Sequence, residues 1–330
     1  MNALVTGGGG FLGSAIVRQL VERGDRVRVF GRQRYAALKP LGVEFAVGDI
    51  RYPDAIIDAC NDIDCVFHVA GIAGLGGSWE RYFETNTLGT QHVIDGCREH
   101  FVPRLVYTSS PSVVFTAGDQ CGIDESQPYP ERFLAHYPHT KALAEQLVLQ
   151  ANGRDDLVTC AIRPHLIWGP GDRQLVPRLW DRARRGRLRR VGGGANLVDT
   201  VYIDNAAEAH LLAADRLTLP DTPPAGRAYF ISQGEPVRCW EWIDQLLAIA
   251  DLPPVKRSIS LAAAWRIGWA MEKLWSLMRL SSDPPMTRFL AAQLAHSHYF
   301  DITAAREELG YEPRVDTAEG MRRLAESVGG

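Results

Sequence analysis

Near the start of the chain, Thr6-Gly-Gly-Gly-Gly10-Phe-Leu-Gly13 links a short apolar run, Asn2-Ala-Leu-Val-Thr6, to a segment of helical periodicity, Ser14 to Arg23, which Gly24 stops. Within it Gly7, Gly10 and Gly13 fit GxxGxxG, with Phe11 and Leu12 in the same turn. Missing side chains at this spacing let backbone N–H groups and a helix N-terminus come close to a pyrophosphate. A second apolar run, Arg26-Val-Arg-Val-Phe30, follows. Strand, glycine turn, helix and strand together are the context such a motif needs, so the chain is predicted to open with a dinucleotide-binding βαβ unit.

The alternation continues. Strands are predicted at Val43 to Ile50, Asp64 to Gly71, Arg104 to Ser110, Leu157 to Arg163 and Ala228 to Ser232, with helical stretches between. Six β/α alternations define an α/β chain with a Rossmann-type doubly wound parallel sheet. Beyond residue 165 the pattern loosens. Residues 1–165 are assigned to the dinucleotide-binding core, with 198–232 returning to it, and residues 166–197 and 233–330 to a smaller, mainly helical substrate lobe.

Cofactor choice is read at the end of the second strand. An acidic residue there ordinarily holds the ribose 2′-hydroxyl of NAD, but this chain has Gly31 followed by Arg32, Gln33 and Arg34. Glycine leaves room, and a guanidinium matches a phosphate with paired hydrogen bonds. NADP(H) is therefore expected over NAD(H), with Arg32 the first contact and Arg34 the second. Asp49 and Ile50 offer a polar and an apolar group to an adenine edge and face. His68, late in an apolar strand, reads as a satisfied structural or cofactor-adjacent histidine, and Asn86 as an N-cap.

Tyr137 and Lys141 stand four apart at the head of a helical run, hence on one helix face. A free tyrosine titrates near about 10, and an adjacent ammonium favours the phenolate, giving a proton donor and acceptor usable near neutrality. Ser110, at the end of the fifth strand where such sheets line a ligand crevice, is the expected third polar group; Thr108, Ser109 and Ser112 compete with it. Pro138 is tolerable because it falls in the first helical turn.

The 330 residues carry a net charge of −3, which argues against nucleic acid as the main partner. The six cysteines show neither CxxC pairs nor a His-Cys metal spacing, so no metal is expected and the thiols read as reduced. With no signal-peptide pattern and no apolar run of membrane-spanning length, a cytoplasmic protein is expected. Asp181 to Arg190 is strongly basic and reads first as a solvated helix face, with anionic lipid or an acidic carrier protein as the alternative. A tryptophan-rich stretch over residues 261–280, interrupted by Arg266, Glu272, Lys273 and Arg279, predicts an amphipathic helix over an apolar pocket, on a bilayer or against another subunit. After it, a short helix from Asp301 to Gly310 is the last element expected.

With Thr6 to Gly13, Thr108-Ser-Ser110 and Tyr137-Pro-His-Thr-Lys141 in order, the chain resembles the extended short-chain dehydrogenase/reductase family. Ser109 to Phe115, Ile162 to Asp172 and Leu197 to Asn205 resemble its 3β-hydroxysteroid dehydrogenase branch, which includes sterol 4-carboxylate dehydrogenases and bacterial 2-alkyl-3-oxoalkanoate reductases. The resemblance implies that Tyr137 exchanges the proton at the substrate oxygen, that Lys141 also holds the nicotinamide ribose, and that Ser110 bonds the reacting oxygen. It further implies that Pro164 and His165 line the nicotinamide pocket and that His68, Val69 and Ala70 flank the cofactor. Residues 74–78 and the C-terminal helices would shape a pocket for a bulky apolar substrate, a β-keto acid or, as the alternative, a sterol. The C-terminal helices are also the expected contact with a membrane or partner enzyme, and a homodimer is the expected assembly. A non-catalytic dinucleotide sensor is the reading from another class, which an intact Ser110, Tyr137 and Lys141 disfavours.

Overall fold

The computed structural model describes residues 1–329. Seven parallel strands form the central sheet: β1 (Asn2–Thr6), β2 (Arg26–Gly31), β3 (Glu44–Val47), β4 (Cys65–His68), β5 (Arg104–Thr108), β6 (Val158–Pro164) and β7 (Ala228–Ile231), in the spatial order β7-β6-β5-β4-β1-β2-β3. Every residue of β4 and β6 is buried, as expected of central parallel strands covered on both faces. The two-residue alternation divides their side chains between two cores. Ala3, Val5, Cys65, Phe67 and Val106 face the side covered by α1 (Phe11–Glu22) and α5 (Ile203–Arg216), which pack on each other. Leu4, Val66, Leu105 and Tyr107 face α2 (Pro53–Ala59), α3 (Gly89–Glu99) and α4 (His136–Ala151).

The predicted stop at Gly24 is a Schellman cap. Gly24 has φ +90°, its N–H donates to Val21 O (2.9 Å), and Asp25 N–H donates to Leu20 O (3.0 Å). Asn86 departs from expectation. It is no N-cap, because the helical path already begins at Trp79 and runs through a π-helical turn, Phe83–Leu88, into α3. Its amide instead clamps the loop after β4, accepting from Ile72 N–H (2.8 Å) and donating to Ile72 O and Thr140 Oγ1 (both 3.1 Å).

A second sheet has four strands, in the order Val237–Arg238, Leu197–Val198, His298–Phe300, Gln120–Ile123. Its last strand comes from the chain before residue 165, which ties this sheet to the end of β5. The apolar helices Leu261–Leu277 and Arg288–Ala295 pack against each other with Gly268 at the crossing, where a Cβ would lie 2.5 Å from the Thr287 carbonyl carbon. Where a single short helix was expected after residue 300, a π-helical turn (Ala305–Leu309) is followed by a further helix, Thr317–Gly329. It returns to the core, with Gly320 against Trp168 and Tyr202. No helix among the described residues is long and apolar enough to cross a membrane.

Candidate active site

The strand order reverses between β1 and β4, and a cleft of about 870 Å³ opens there along the carboxyl ends of the strands. One end is the glycine turn. Gly7 has φ +68°, a Cβ on it would lie 2.8 Å from the Ala70 backbone, and a Cβ at Gly13 would lie 2.3 Å from Gly7 O. Close backbone packing therefore requires glycine at both positions. Gly10 begins α1 without a side-chain cap, leaving the amides of Phe11, Leu12 and Gly13 at the cleft wall, a donor set suited to a pyrophosphate.

His68 lies beneath this turn, fully buried. Thr90 Oγ1 donates to Asn86 O (2.6 Å), so it accepts from His68 Nε2–H (2.9 Å). His68 Nδ1 is then the acceptor for the Thr6 hydroxyl (2.7 Å), whose oxygen accepts from the N–H groups of Val69 and Ala70 (3.1 Å each). Burial, aided by the Lys141 charge, pulls the imidazole down to about 3, so it stays neutral. His68 ties the glycine turn to the loop after β4 without lining the cleft.

Beside the ends of β2 and β3, Arg32, Asp49 and Ile50 line the cleft, and Arg34 does not. Asp49 is already held by Arg51 (Nη2 to Oδ2, 2.8 Å), whose hydrogen bonds keep the carboxyl below the usual range. Arg32 makes no ion pair among the described residues.

At the other end α4 begins at His136, so Tyr137 and Lys141 sit on successive turns with Pro138 harmless in the first. Lys141 is 6% exposed; its Nζ donates to Thr108 O (2.5 Å) and lies 4.2 Å over the Tyr107 ring. Burial brings its pKa down to about 7 against the upward pull of Glu145. Burial also raises the Tyr137 phenol above its ordinary value, the Ser110 hydroxyl acting the other way. The expected lowering of the tyrosine by the Lys141 ammonium is absent: burial dominates, and only the Ser110 hydroxyl acts against it. At neutral pH Tyr137 is a protonated phenol.

The hydroxyl cluster after β5 sorts itself by partner. His210 Nδ1–H donates to Ala206 O (2.7 Å), leaving Nε2 to accept from Thr108 (2.8 Å). Ser109 Oγ is buried without a partner. Thr108, Ser109, Ser110 and Ser112 all line the cleft, and the hydroxyls of Ser110 and Ser112 lie 2.9 Å apart. Behind α4, Glu145 and Arg163 form a buried ion pair (2.5 and 2.9 Å) that also takes the Tyr129 hydroxyl (2.7 Å). Burial pushes the Glu145 carboxyl up, but Arg163 more than offsets this and holds it ionised.

Pro164 and His165 reach the cleft from the end of β6. His298 Nε2–H donates to Gln293 O (2.8 Å), so its Nδ1 accepts from His165 Nε2–H (2.7 Å). That fixes both tautomers and leaves His165 Nδ1 as a free acceptor. Burial, then the neighbouring imidazole, puts the pKa of His165 well below its ordinary value. His298, with Phe115, Phe289 and Phe300, forms an apolar wall that sequence reasoning missed. Phe289, His298 and Phe300 come from segments far along the chain from Phe115, and no local pattern encodes their approach to the cleft. The tryptophan-rich helix Leu261–Leu277 and residues 74–78 contribute no lining residue, contrary to expectation. Asp283 instead holds residues 75 and 76 by their amides (2.8 Å each).

The fold aligns with the solved structure titled MoeE5 in complex with UDP-glucose and NAD, at 25% identity and a TM-score of 0.75 over 100% of this chain and 99% of that one. By fold and site the chain is an NAD(P)-dependent oxidoreductase of the extended short-chain dehydrogenase/reductase type, acting on CH–OH groups. Residues 4–262 match the 3-beta hydroxysteroid dehydrogenase/isomerase family. Among curated relatives, a 2-alkyl-3-oxoalkanoate reductase of Stenotrophomonas maltophilia (strain K279a) is 52% identical over 99% of both chains. The decarboxylating sterol-4-alpha-carboxylate 3-dehydrogenase of Mus musculus is 34% identical over 98% of this chain and 90% of its own. The chain belongs to the 3-beta hydroxysteroid dehydrogenase/isomerase family.

Proposed function

We propose that the protein is an NADP(H)-dependent reductase that converts a 2-alkyl-3-oxoalkanoate, a β-keto acid with long apolar chains, to the β-hydroxy acid. The observation that carries this reading is a protonated Tyr137 beside Ser110, with the apolar wall of Phe115, Phe289 and Phe300 in the same cleft. A neutral phenol is the protonation state that reduction requires. The 52% identity to a reductase of that name supports the substrate class, and Gly31 with the unpaired Arg32 supports NADP(H).

The glycine turn would hold the pyrophosphate, Arg32 the 2′-phosphate, and Lys141 the nicotinamide ribose. When bound, the nicotinamide supplies hydride to the ketone carbon. Tyr137 gives its phenolic proton to the ketone oxygen as negative charge develops there, and the hydroxyl of Ser110, positioned by Ser112, donates to that oxygen. Phe115, Phe289 and Phe300 exclude water from the alkyl chains.

An absorbance assay at about 340 nm tests the reading. NADPH should be consumed with 2-alkyl-3-oxoalkanoates, and Tyr137→Phe should lower kcat by about 100-fold or more, the scale of a positioned acid. Turnover confined to NAD with 3β-hydroxysterols would replace this reading with the sterol dehydrogenase.

We further propose that helix Leu261–Leu277 docks on an anionic bilayer. Ile267, Leu274, Leu277 and Met278 are exposed along one side of it, and Trp269 is exposed on the other. The preceding strand Ser258–Ile259 pairs with Arg190–Val191, which brings the end of the basic run to the start of this helix. Within the run Arg182, Arg184, Arg187 and Arg189 have no acidic partner among the described residues, whereas Arg185 and Arg190 do. Exposed apolar side chains, with Arg184 and Arg187 exposed and without acidic partners among the described residues, complement anionic lipid. The protein should sediment with phosphatidylglycerol-containing vesicles and not with phosphatidylcholine alone, and Trp269→Glu with Leu277→Glu should abolish this. Absence of sedimentation, or burial of the face in a dimer, would overturn the proposal.

A further inference from the structure

We propose that Tyr35 is a cofactor-specificity residue. Its ring fills the volume that Gly9 and Gly31 leave empty, excludes an acidic side chain from position 31, and offers a phenol donor to a 2′-phosphate. This rests on the NADP(H) reading above.

Gly9 is not one of the three motif glycines, and nothing in the glycine turn's own geometry demands glycine there. A Cβ at Gly9 would lie 2.2 Å from Cε1 of Tyr35 and 2.3 Å from Cδ1 and Cζ, inside the ring itself. A Cβ at Gly31 would lie 2.6 Å from the Tyr35 hydroxyl oxygen. Both contacts are far shorter than carbon allows, so Gly9, Gly31 and Tyr35 act as one unit. Tyr35 is held by its backbone at the start of the 3₁₀ turn Ala36–Leu41, where its carbonyl accepts from Leu38 N–H (3.0 Å). Its half-buried side chain packs on the core that contains α1.

The consequence is electrostatic as well as steric. In βαβ units that take NAD, the carboxylate at the end of the second strand grips the bare ribose and repels a phosphate. Here the first atom of any such side chain would meet the Tyr35 hydroxyl. That hydroxyl makes no hydrogen bond among the described residues, and Tyr35 lines the cleft together with Gly31 and Arg32. A neutral donor and a free guanidinium at the mouth of a cleft suit a phosphate dianion. Tyrosine supplies this at low conformational cost, since it has only two side-chain torsions to fix.

The test is direct binding of NADPH and NADH to the full chain, read by nicotinamide fluorescence and needing no turnover. Wild type should favour NADPH. Tyr35→Phe should weaken NADPH about tenfold, as expected for loss of a hydrogen bond to a charged group, and NADH less than about twofold. Gly31→Asp should bind NADH poorly, and adding Tyr35→Ala to it should restore NADH by about tenfold or more, since the carboxylate then has space. An unchanged NADPH/NADH ratio in Tyr35→Phe, with wild type favouring NADPH, overturns the role of Tyr35 and leaves the cofactor reading standing. So does a Gly31→Asp chain that binds NADH equally well with and without Tyr35. A wild type without preference overturns the cofactor reading, and this inference with it.

Discussion

Lys141→Met should stabilise the cofactor-free protein at neutral pH while disabling it. In the unfolded chain this ammonium titrates at its ordinary 10.5; in the folded protein burial brings it down to about 7. Between those values the unfolded chain binds more protons than the folded one, so stability rises with pH, and below about 7 the full penalty of burying the charge stands. At about 1.4 kcal/mol per pKa unit, that penalty is on the order of 4 kcal/mol near neutrality. Methionine removes it and gives up two compensations. The hydrogen bond to Thr108 O contributes about 1.5–3 kcal/mol, and the contact over Tyr107 about 0.5–2 kcal/mol. At mid-range the balance is a net gain of about 0.5 kcal/mol at pH 7, a shift of about 1 °C in Tm, turning into a net loss by about pH 9.5, where the penalty has largely gone. Thermal melts of cofactor-stripped wild type and variant at the two pH values measure both. A difference in Tm of the same sign and size at each pH would refute the argument that Lys141 is held against its own charge.

Three further outcomes follow from the geometry. Ser110→Ala should lower kcat by about tenfold to 100-fold, and Ser112→Ala by less, because Ser112 acts only through Ser110; steady-state kinetics showing the reverse order would identify Ser112 as the reacting-oxygen donor. Arg163→Met leaves the fully buried Glu145 carboxylate unpaired and should cost about 3–5 kcal/mol in urea melts, the loss growing with pH above the ordinary carboxylate range, where the unfolded Glu145 is ionised; a cost under 1 kcal/mol would mean the pair is not closed to water. Gly13→Ala meets backbone on every near side, so the glycine turn must open and NADPH binding should fall by at least about tenfold; unchanged affinity would contradict the close packing of α1 on Gly7.

Parts of the site were legible because they are local. The glycine turn, the cap at Gly24, and Tyr137 with Lys141 four apart all rest on torsions and spacings within a few residues. Ser110 had three competitors in sequence, and only the fold shows Thr108 engaged by His210 on α5, Ser109 Oγ buried without a partner, and Ser110 paired with Ser112. The tryptophan-rich helix was legible as amphipathic but not in its placement. Its neighbour Arg288–Ala295 faces the cleft instead, a matter of how two helices cross at Gly268.

The chain's own order of residues determined a parallel nucleotide-binding sheet, its glycine turn, and a phenol and an amine on one helical face. Periodicity and backbone sterics act over short distances, so they can be read without knowing what lies opposite. Only the tertiary structure decided the charge state of that phenol and amine, the tautomers of His68, His165 and His298, and which aromatics wall the cleft. Desolvation, hydrogen-bond direction and packing depend on groups far apart in the chain, and Tyr137 shares its cleft with Phe115, Phe289 and Phe300 only in the folded protein.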